Sequence, residues 1–300
     1  MLKIAFSEIY AHHLPEKHRF PMLKYDLLPK QLMHEGVVAQ ENFFLSKNAL
    51  EKDILEVHNV HYWDRLIQLR LSSSEIRLIG FPLSQLLVER EINIVGGTLQ
   101  CIDYALIYGI SFNIAGGTHH AFSDHGEGFC MLNDQAIGAN YLLRNKKASR
   151  VLIVDLDVHQ GNGTAEIFKK NPRVFTFSMH GAKNYPIRKE QSDLDIGLKD
   201  GCKDETYLSL LSHHLNKVIQ DFNPDFILYQ AGVDVLDTDE LGRLGLTKIG
   251  CKRRDHYVLE LAHCQKIPIV VCMGGGYSSK IKDIIEAHTN TFKLAQQIFF

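Results

Sequence analysis

Short, densely apolar runs alternate along the chain with longer stretches in which apolar residues recur at helical spacing. The runs Leu2 to Phe6, Ile92 to Val95, Phe112 to Ala115, Val151 to Asp155, Val174 to Ser178, Phe226 to Gln230 and Ile269 to Met273 predict strands. Several are apolar at consecutive rather than alternate positions, as strands are when a parallel sheet is covered on both faces. Between most of them lie stretches of helical length, among them Asp134 to Arg144, Glu205 to Phe222 and Arg253 to Gln265. Alternation of this kind predicts an α/β fold, one parallel sheet with helices on both faces. No repeat, low-complexity segment or Pro/Ser-rich linker interrupts it, so a single domain over residues 1–300 is expected. Ligands of open α/β sheets gather outside the carboxyl ends of the strands, which directs attention to the residues just beyond each run.

Val151 to Asp155 continues as "LDVHQGNGT". Side chains alternate along a strand, so Asp155, Asp157 and His159 converge if the chain stays extended. Two partly desolvated carboxylates at a sheet end repel, and the site then needs a cation or a proton. The competing reading is a helix-capping aspartate and a satisfied histidine. Asp234, four residues beyond Gln230, could complete a set with Asp157 and His159. Two carboxylates and one imidazole suit Zn²⁺ or Fe²⁺ and leave a position open for water. Taken singly, Asp234 reads as a turn residue in an acidic loop with Asp237, Asp239 and Glu240. His119 and His120 come after Gly116-Gly117, where the backbone can pass close to a site. Tyr277 comes after Gly274-Gly275-Gly276, a loop suited to presenting a phenol, although a core tyrosine fits the same spacing.

Composition narrows the partners. With 45% hydrophobic and 23% charged residues among 300, the chain can bury a sizeable core. Its 33 basic and 35 acidic side chains balance, which argues against direct nucleic-acid binding. No run approaches the ~20 apolar residues of a membrane span, and "MLKIAFSEIY" reads as a first strand rather than a secretion signal. Six dispersed cysteines without a CxxC pair fit reduced thiols, so a cytoplasmic protein away from membranes is expected. The oligomeric state is not encoded in any pattern we can read.

The segments "GGTHHA", "GFCMLND", "DLDVHQGNGT", "AGVD" and "GGGY", in this order, resemble the zinc-dependent histone deacetylase family. The start "HHLPEKHRFPM" and the later "SDLDIGL" are most similar to its class IV branch and bacterial relatives. The resemblance implies the arginase-deacetylase fold with about eight strands, one more than the seven apolar runs. It implies zinc, or Fe²⁺ in its place, at Asp157, His159 and Asp234, with His119 and His120 beside the metal-bound water and Tyr277 polarising the substrate carbonyl. Asp155 is implied to back His119 and, with Asp157, His159, Ser178 and the Met179 backbone, to hold a structural potassium ion. Gly128, Phe129, Tyr185, Leu241, Gly275 and Gly276 would line the acyl-lysine tunnel, and Arg19 an internal cavity below the zinc. Asn162 stands where class I members carry aspartate, so His120 would be less stabilised as imidazolium. The loop "KNYPIRKEQ" from Lys183 departs from class I, and the class IV likeness implies that long acyl chains could be accepted.

The implied reaction is hydrolysis of the amide of N-ε-acyl-lysine in a peptide or protein, with a small acylated amine such as an acetylpolyamine as the alternative substrate. Zinc would acidify a water and polarise the carbonyl. His120 would act as base and then acid, and Tyr277 would stabilise the oxyanion. A two-manganese, arginase-like hydrolase is disfavoured because Gly161 and Leu236 stand where bridging carboxylates would be needed. A silent acyl-lysine binder would need neither a base nor an oxyanion donor.

Overall fold

The computed structural model describes residues 1–300. Eight strands, β1 (Lys3–Phe6), β2 (Phe43–Leu45), β3 (Ile110–Asn113), β4 (Val151–Asp155), β5 (Val174–Gly181), β6 (Leu194–Leu198), β7 (Phe226–Gln230) and β8 (Ile269–Cys272), form one sheet in the order β2-β1-β3-β8-β7-β4-β5-β6. Every neighbouring pair is parallel. Ten helices connect them: α1 (Lys24–His34), α2 (Glu51–Ile54), α3 (Val60–Ile67), α4 (Ser73–Ile79), α5 (Gln85–Tyr108), α6 (Asp134–Arg144), α7 (Asn162–Phe168), α8 (Asp204–Phe222), α9 (Lys248–Cys264) and α10 (Ile281–Phe299). No helix is long and apolar enough to cross a membrane.

Adjacent residues of β3 show how the sheet is covered twice. Phe112 stacks on Phe292 of α10 with ring centroids 4.2 Å apart. Its neighbour Asn113 points the other way and donates through Nδ2 to the Ile94 carbonyl of α5 at 3.0 Å. With both faces buried, the central strands are apolar at nearly every position, and one continuous cluster of 80 buried residues forms the core.

The expected strand Ile92–Val95 does not exist; it lies inside α5. Two β-branched isoleucines and a valine before a glycine pair resemble a strand and its turn, but the glycines serve a crossing. A Cβ on Gly96 would lie 1.7 Å from the Lys47 carbonyl oxygen, and one on Gly97 2.4 Å from the Tyr10 hydroxyl. Helix α5 runs uninterrupted from the Ser84 cap, whose Oγ accepts from Leu87 N, to Gly109 at φ 85°. Two strands escape the apolar pattern, β2 and β6, both at sheet edges. Neither has a fully buried run: β2 has three residues, and β6 reads Leu-Asp-Ile-Gly-Leu with one buried position. Strand β3 begins and ends two residues before its expected bounds, β5 extends three further, and α9 begins five earlier, capped by Thr247.

The final residues of four central strands are level. Asn113 pairs with Cys272, Cys272 with Gln230, and Gln230 with Asp155. The loops after β3, β8, β7 and β4 therefore leave the sheet side by side. Beneath two of them lies Arg254 of α9, fully buried. It donates through Nη1 to the carbonyls of Leu156 (3.1 Å) and Gly232 (2.6 Å) and is paired with Asp255, which also accepts from Tyr229 and Thr291.

Arg254→Met would leave a buried carboxylate and two carbonyls without their partner, and the expected loss is about 3 to 5 kcal/mol. Denaturant unfolding of wild type and variant measures it; a loss below about 1 kcal/mol would contradict this role for the guanidinium.

Candidate active site

Beyond Asp155 the chain bends rather than remaining extended. Asp157 N donates to Asp155 Oδ1 (3.2 Å) and His159 N to Asp157 Oδ1 (3.0 Å), so each aspartate turns the chain with its own side chain. Asp157 and His159 meet Asp234 from the β7 loop, and their candidate ligand atoms all lie within 4.8 Å of one another. His159 Nδ1 is 3.1 Å from Asp157 Oδ1 and 3.2 Å from Asp234 Oδ2. The other carboxylate oxygens are held by backbone, Asp157 Oδ2 by Gly275 N and Asp234 Oδ1 by Val158 N, each at 2.9 Å. Asp155 is turned away from this cluster and takes His119 Nδ1 at 2.6 Å.

Glycine is required at two points by proximity alone. A Cβ on Gly275 would fall 2.0 Å from Asp234 Oδ2, and one on Gly232 2.2 Å from Asp157 Oδ2. Three polar groups that no sequence pattern singles out, buried Asp134 and Lys24 and half-buried Asp239, hold the surrounding loops. Asp134 Oδ1 accepts from Gly117 N, Thr118 N and Thr118 Oγ1. Asp239 Oδ2 accepts from Tyr277 N at 2.6 Å, and its Oδ1 from Leu241 N and Gly242 N. Lys24 Nζ donates to the Gly274 carbonyl at 2.6 Å. Asp134 ends the segment "GFCMLND", but nothing in its spacing says which loop it holds.

Burial raises Asp234 to about 7, and the neighbouring Asp157 adds to the effect. Burial opposes a charge on His159 as well, yet its hydrogen bonds to Asp157 and Asp234 carry it to about 10. Left to themselves, the three groups thus share a proton that a divalent cation would displace. Burial likewise depresses Lys24 to about 8, while Asp234 and Asp157 pull it back up. The donor chemistry fits a cation such as zinc or Fe²⁺: two anchored carboxylates and one imidazole in a buried cluster.

The paired histidines touch, with ring centroids 4.1 Å apart, but differ in charge. Burial works against a charge on His119, and Asp155 and Asp157 overrule it to reach about 9. His120 is driven well below its ordinary value by burial, then by the neighbouring His119 and His159. Its Nδ1 lies 2.6 Å from Asn162 Oδ1, and Asn162 Nδ2 donates to Glu127 Oε1 at 2.5 Å. Sequence reasoning missed Glu127, which precedes "GFC" and is buried. The Tyr277 phenol is held protonated by burial and by the carboxylates of Asp157 and Asp234.

Two cavities meet at these residues. An outer one of about 410 Å³ opens to the surface between Tyr185, Leu241, Phe129 and Gly128. An inner one of about 40 Å³ reaches Phe20, Tyr25 and Arg90. They share Gly128, Phe129, His120, His159 and Tyr277. Two expectations need correction. Arg19 is exposed and lines the outer cavity, because its neighbour Phe20 takes the inward position; the arginine of the inner cavity is buried Arg90, on α5. Gly276 lines neither cavity: a Cβ there would meet Val233 Cγ2 at 2.6 Å and Ile284 Cγ2 at 3.3 Å, in the core. Gly275 borders the inner cavity. Ser178 lies opposite Asp155 in the β4–β5 register, with Met179 next along the strand.

The pattern of the histone deacetylase domain matches residues 18–292. The chain is 40% identical to an uncharacterized protein of Picosynechococcus sp., over 99% of both chains. It is 30% identical to histone deacetylase 2 of Arabidopsis thaliana, over 89% of this chain and 72% of that one. A solved structure of an HDAC homologue complexed with SAHA superposes on 99% of this chain and 84% of its own with a TM-score of 0.85, and at 24% identity that likeness establishes the arginase-deacetylase fold. Motif order, an eight-stranded parallel sheet and the match over nearly the whole length agree: the chain belongs to the histone deacetylase family, and a class IV-like or bacterial-type member fits these relatives.

Proposed function

We propose that this family hydrolase cleaves the amide of N-ε-acyl-lysine in a polypeptide, with a divalent cation, zinc or Fe²⁺, held by Asp157, His159 and Asp234. The observation that carries the reading is the junction of the two cavities, where His120, His159 and Tyr277 border both. When bound, the cation supplies Lewis acidity towards a carbonyl and acidifies a water. Around it the chain supplies the rest. Phe129 and Tyr185 give the outer cavity apolar walls suited to a lysine stem. The neutral His120 Nε2 accepts a proton from the attacking water and returns it to the departing amine, its Nδ1 fixed by Asn162. His119, kept charged by Asp155, stabilises negative charge beside it. Tyr277 donates its phenol proton in a hydrogen bond to the developing oxyanion. We assign the potassium ion of the resemblance to Asp155, Asp157, His159, Ser178 and the Met179 carbonyl as part of the same proposal.

The inner cavity supports a short acyl group. At about 40 Å³ it has room for about three waters, which suits an acetyl group and crowds a fatty chain. Positions 161 and 236, where a second cation would need carboxylates, remain glycine and leucine.

The pure protein should hydrolyse an acetyl-lysine peptide with a kcat/KM at least about ten-fold above that for a fatty-acyl-lysine peptide. Hydrolysis of acetylspermidine but not of the acetyl-lysine peptide would overturn the substrate assignment.

Tyr277→Phe should lower kcat on the order of 10² to 10³-fold with fold and metal content retained. Turnover near the wild-type rate would return Tyr277 to a packing role.

Metal analysis should give one equivalent of divalent cation per chain, lost in Asp234→Ala. Because His159 is raised to about 10 and Asp234 to about 7, protons must leave on binding, and affinity rises with pH, by up to about ten-fold per unit and per proton, until those values are passed. Titration calorimetry in two buffers of different ionisation enthalpy counts the released protons; binding without proton release, or two tightly held manganese ions, would sink the assignment.

A further inference from the structure

The outer cavity is cationic at its mouth. Arg19 and Arg77 line it, both are exposed, and neither has a carboxylate within ion-pair distance. No aspartate or glutamate belongs to the lining. The acids nearby are turned elsewhere: Asp239 towards three backbone N–H groups, Glu127 towards Asn162, and Glu75 towards Arg65 and Ser72. Glu240 is exposed beside Leu241 but does not line the cavity. The loop that carries Tyr185 adds Lys183 and Arg188, both exposed and outside any ion pair, whereas Lys189 is tied to the carbonyls of Asn184 and Pro186. Over the whole chain the formal net charge is -2, so the positive rim is a local feature.

We propose that Arg19 and Arg77 select substrates bearing a carboxylate beside the acyl-lysine, and that the preferred substrate is an acidic stretch of polypeptide. This rests on the deacylase reading and deepens it. A cationic acylated polyamine would bring like charge against two unpaired guanidiniums, and like-charge juxtaposition is an effective way to exclude a partner. Arginine also suits the bidentate geometry of a carboxylate. Leu78 and Tyr185, exposed by 45% and 37%, line the same cavity, and Ile187, exposed by 97%, lies two residues beyond Tyr185 on its loop; such apolar area fits side chains on either side of the lysine better than it fits a bare amine. A free N-ε-acetyl-lysine could offer its own α-carboxylate to the same arginines, and the experiment separates the two sources.

The test uses the metal-loaded full chain and blocked acetyl-lysine peptides flanked by Asp, Gln or Lys, together with acetylspermidine and N-ε-acetyl-lysine. Expected is kcat/KM in the order Asp, Gln, Lys, with about ten-fold between the extremes and the difference carried by KM. It should shrink as ionic strength rises. In Arg19→Gln/Arg77→Gln the Asp-to-Lys ratio should fall to within about two-fold. Wild type that treats Asp- and Lys-flanked peptides alike, or a ratio unchanged in the double variant, would overturn the inference. Free acetyl-lysine outperforming the Asp peptide would overturn the polypeptide assignment. Hydrolysis of the Gln peptide without charge selectivity defeats this inference and leaves the deacylase reading standing. If no peptide is cleaved, that reading fails, and anisotropy of the same labelled peptides on the holoprotein still reads the charge order directly.

Discussion

Buried negative charge at the ends of level strands is the constraint around which this molecule is organised. Asp155, Asp157 and Asp234 are all at least nine-tenths buried, where unpaired carboxylates are costly. They are compensated in two ways. Asp155 has the imidazole of His119, while Asp157 and Asp234 have backbone N–H groups on one oxygen and share His159 on the other. Further away, Lys24 and Arg254 place buried cations behind the loops. The carboxylates still outnumber the cations that face them directly, which is what a cation-binding cluster requires.

That compensation dictates composition at close range. Gly232 and Gly275 give the carboxylates their room, and any Cβ there would displace a carboxylate oxygen of Asp157 or Asp234. It also splits the histidine pair. Two imidazoles in contact, one facing an aspartate and the other an amide, cannot have the same proton affinity; His119 is held charged and His120 neutral. Opposed protonation of adjacent groups is the usual preparation for acid and base work in one site.

The division between the cavities has the same local origin. Phe20 faces inward and Arg19 outward, so a one-residue step along the chain separates the floor of the inner cavity from the rim of the outer one. The inner position is filled from a different element by Arg90, which donates to the Tyr10 carbonyl and pairs with buried Glu91.

The sequence by itself determined the doubly covered parallel sheet, because several short runs apolar at consecutive positions, as in Val151–Val154 and Phe226–Tyr229, alternate with stretches of helical length, and strands buried on both faces have that form. It also carried the chemistry-bearing residues to strand ends, since polar and glycine positions after an apolar run mark where the chain leaves the core. Edge strand β2 was illegible because its apolar run, Phe43-Phe44-Leu45, is only three residues long, and β6 because a half-exposed strand needs no apolar run; Ile92–Val95 misled because β-branched residues pack as well in a buried helix. Which residues meet was decided only by tertiary structure. Glu127 behind Asn162, Gln230 bonded to the Gly117 carbonyl and Arg254 under two loops depend on strand order, on level strand ends and on helices returning from distant parts of the chain. No local pattern encodes such partners, because a hydrogen bond fixes the geometry of two groups and says nothing about their separation in sequence.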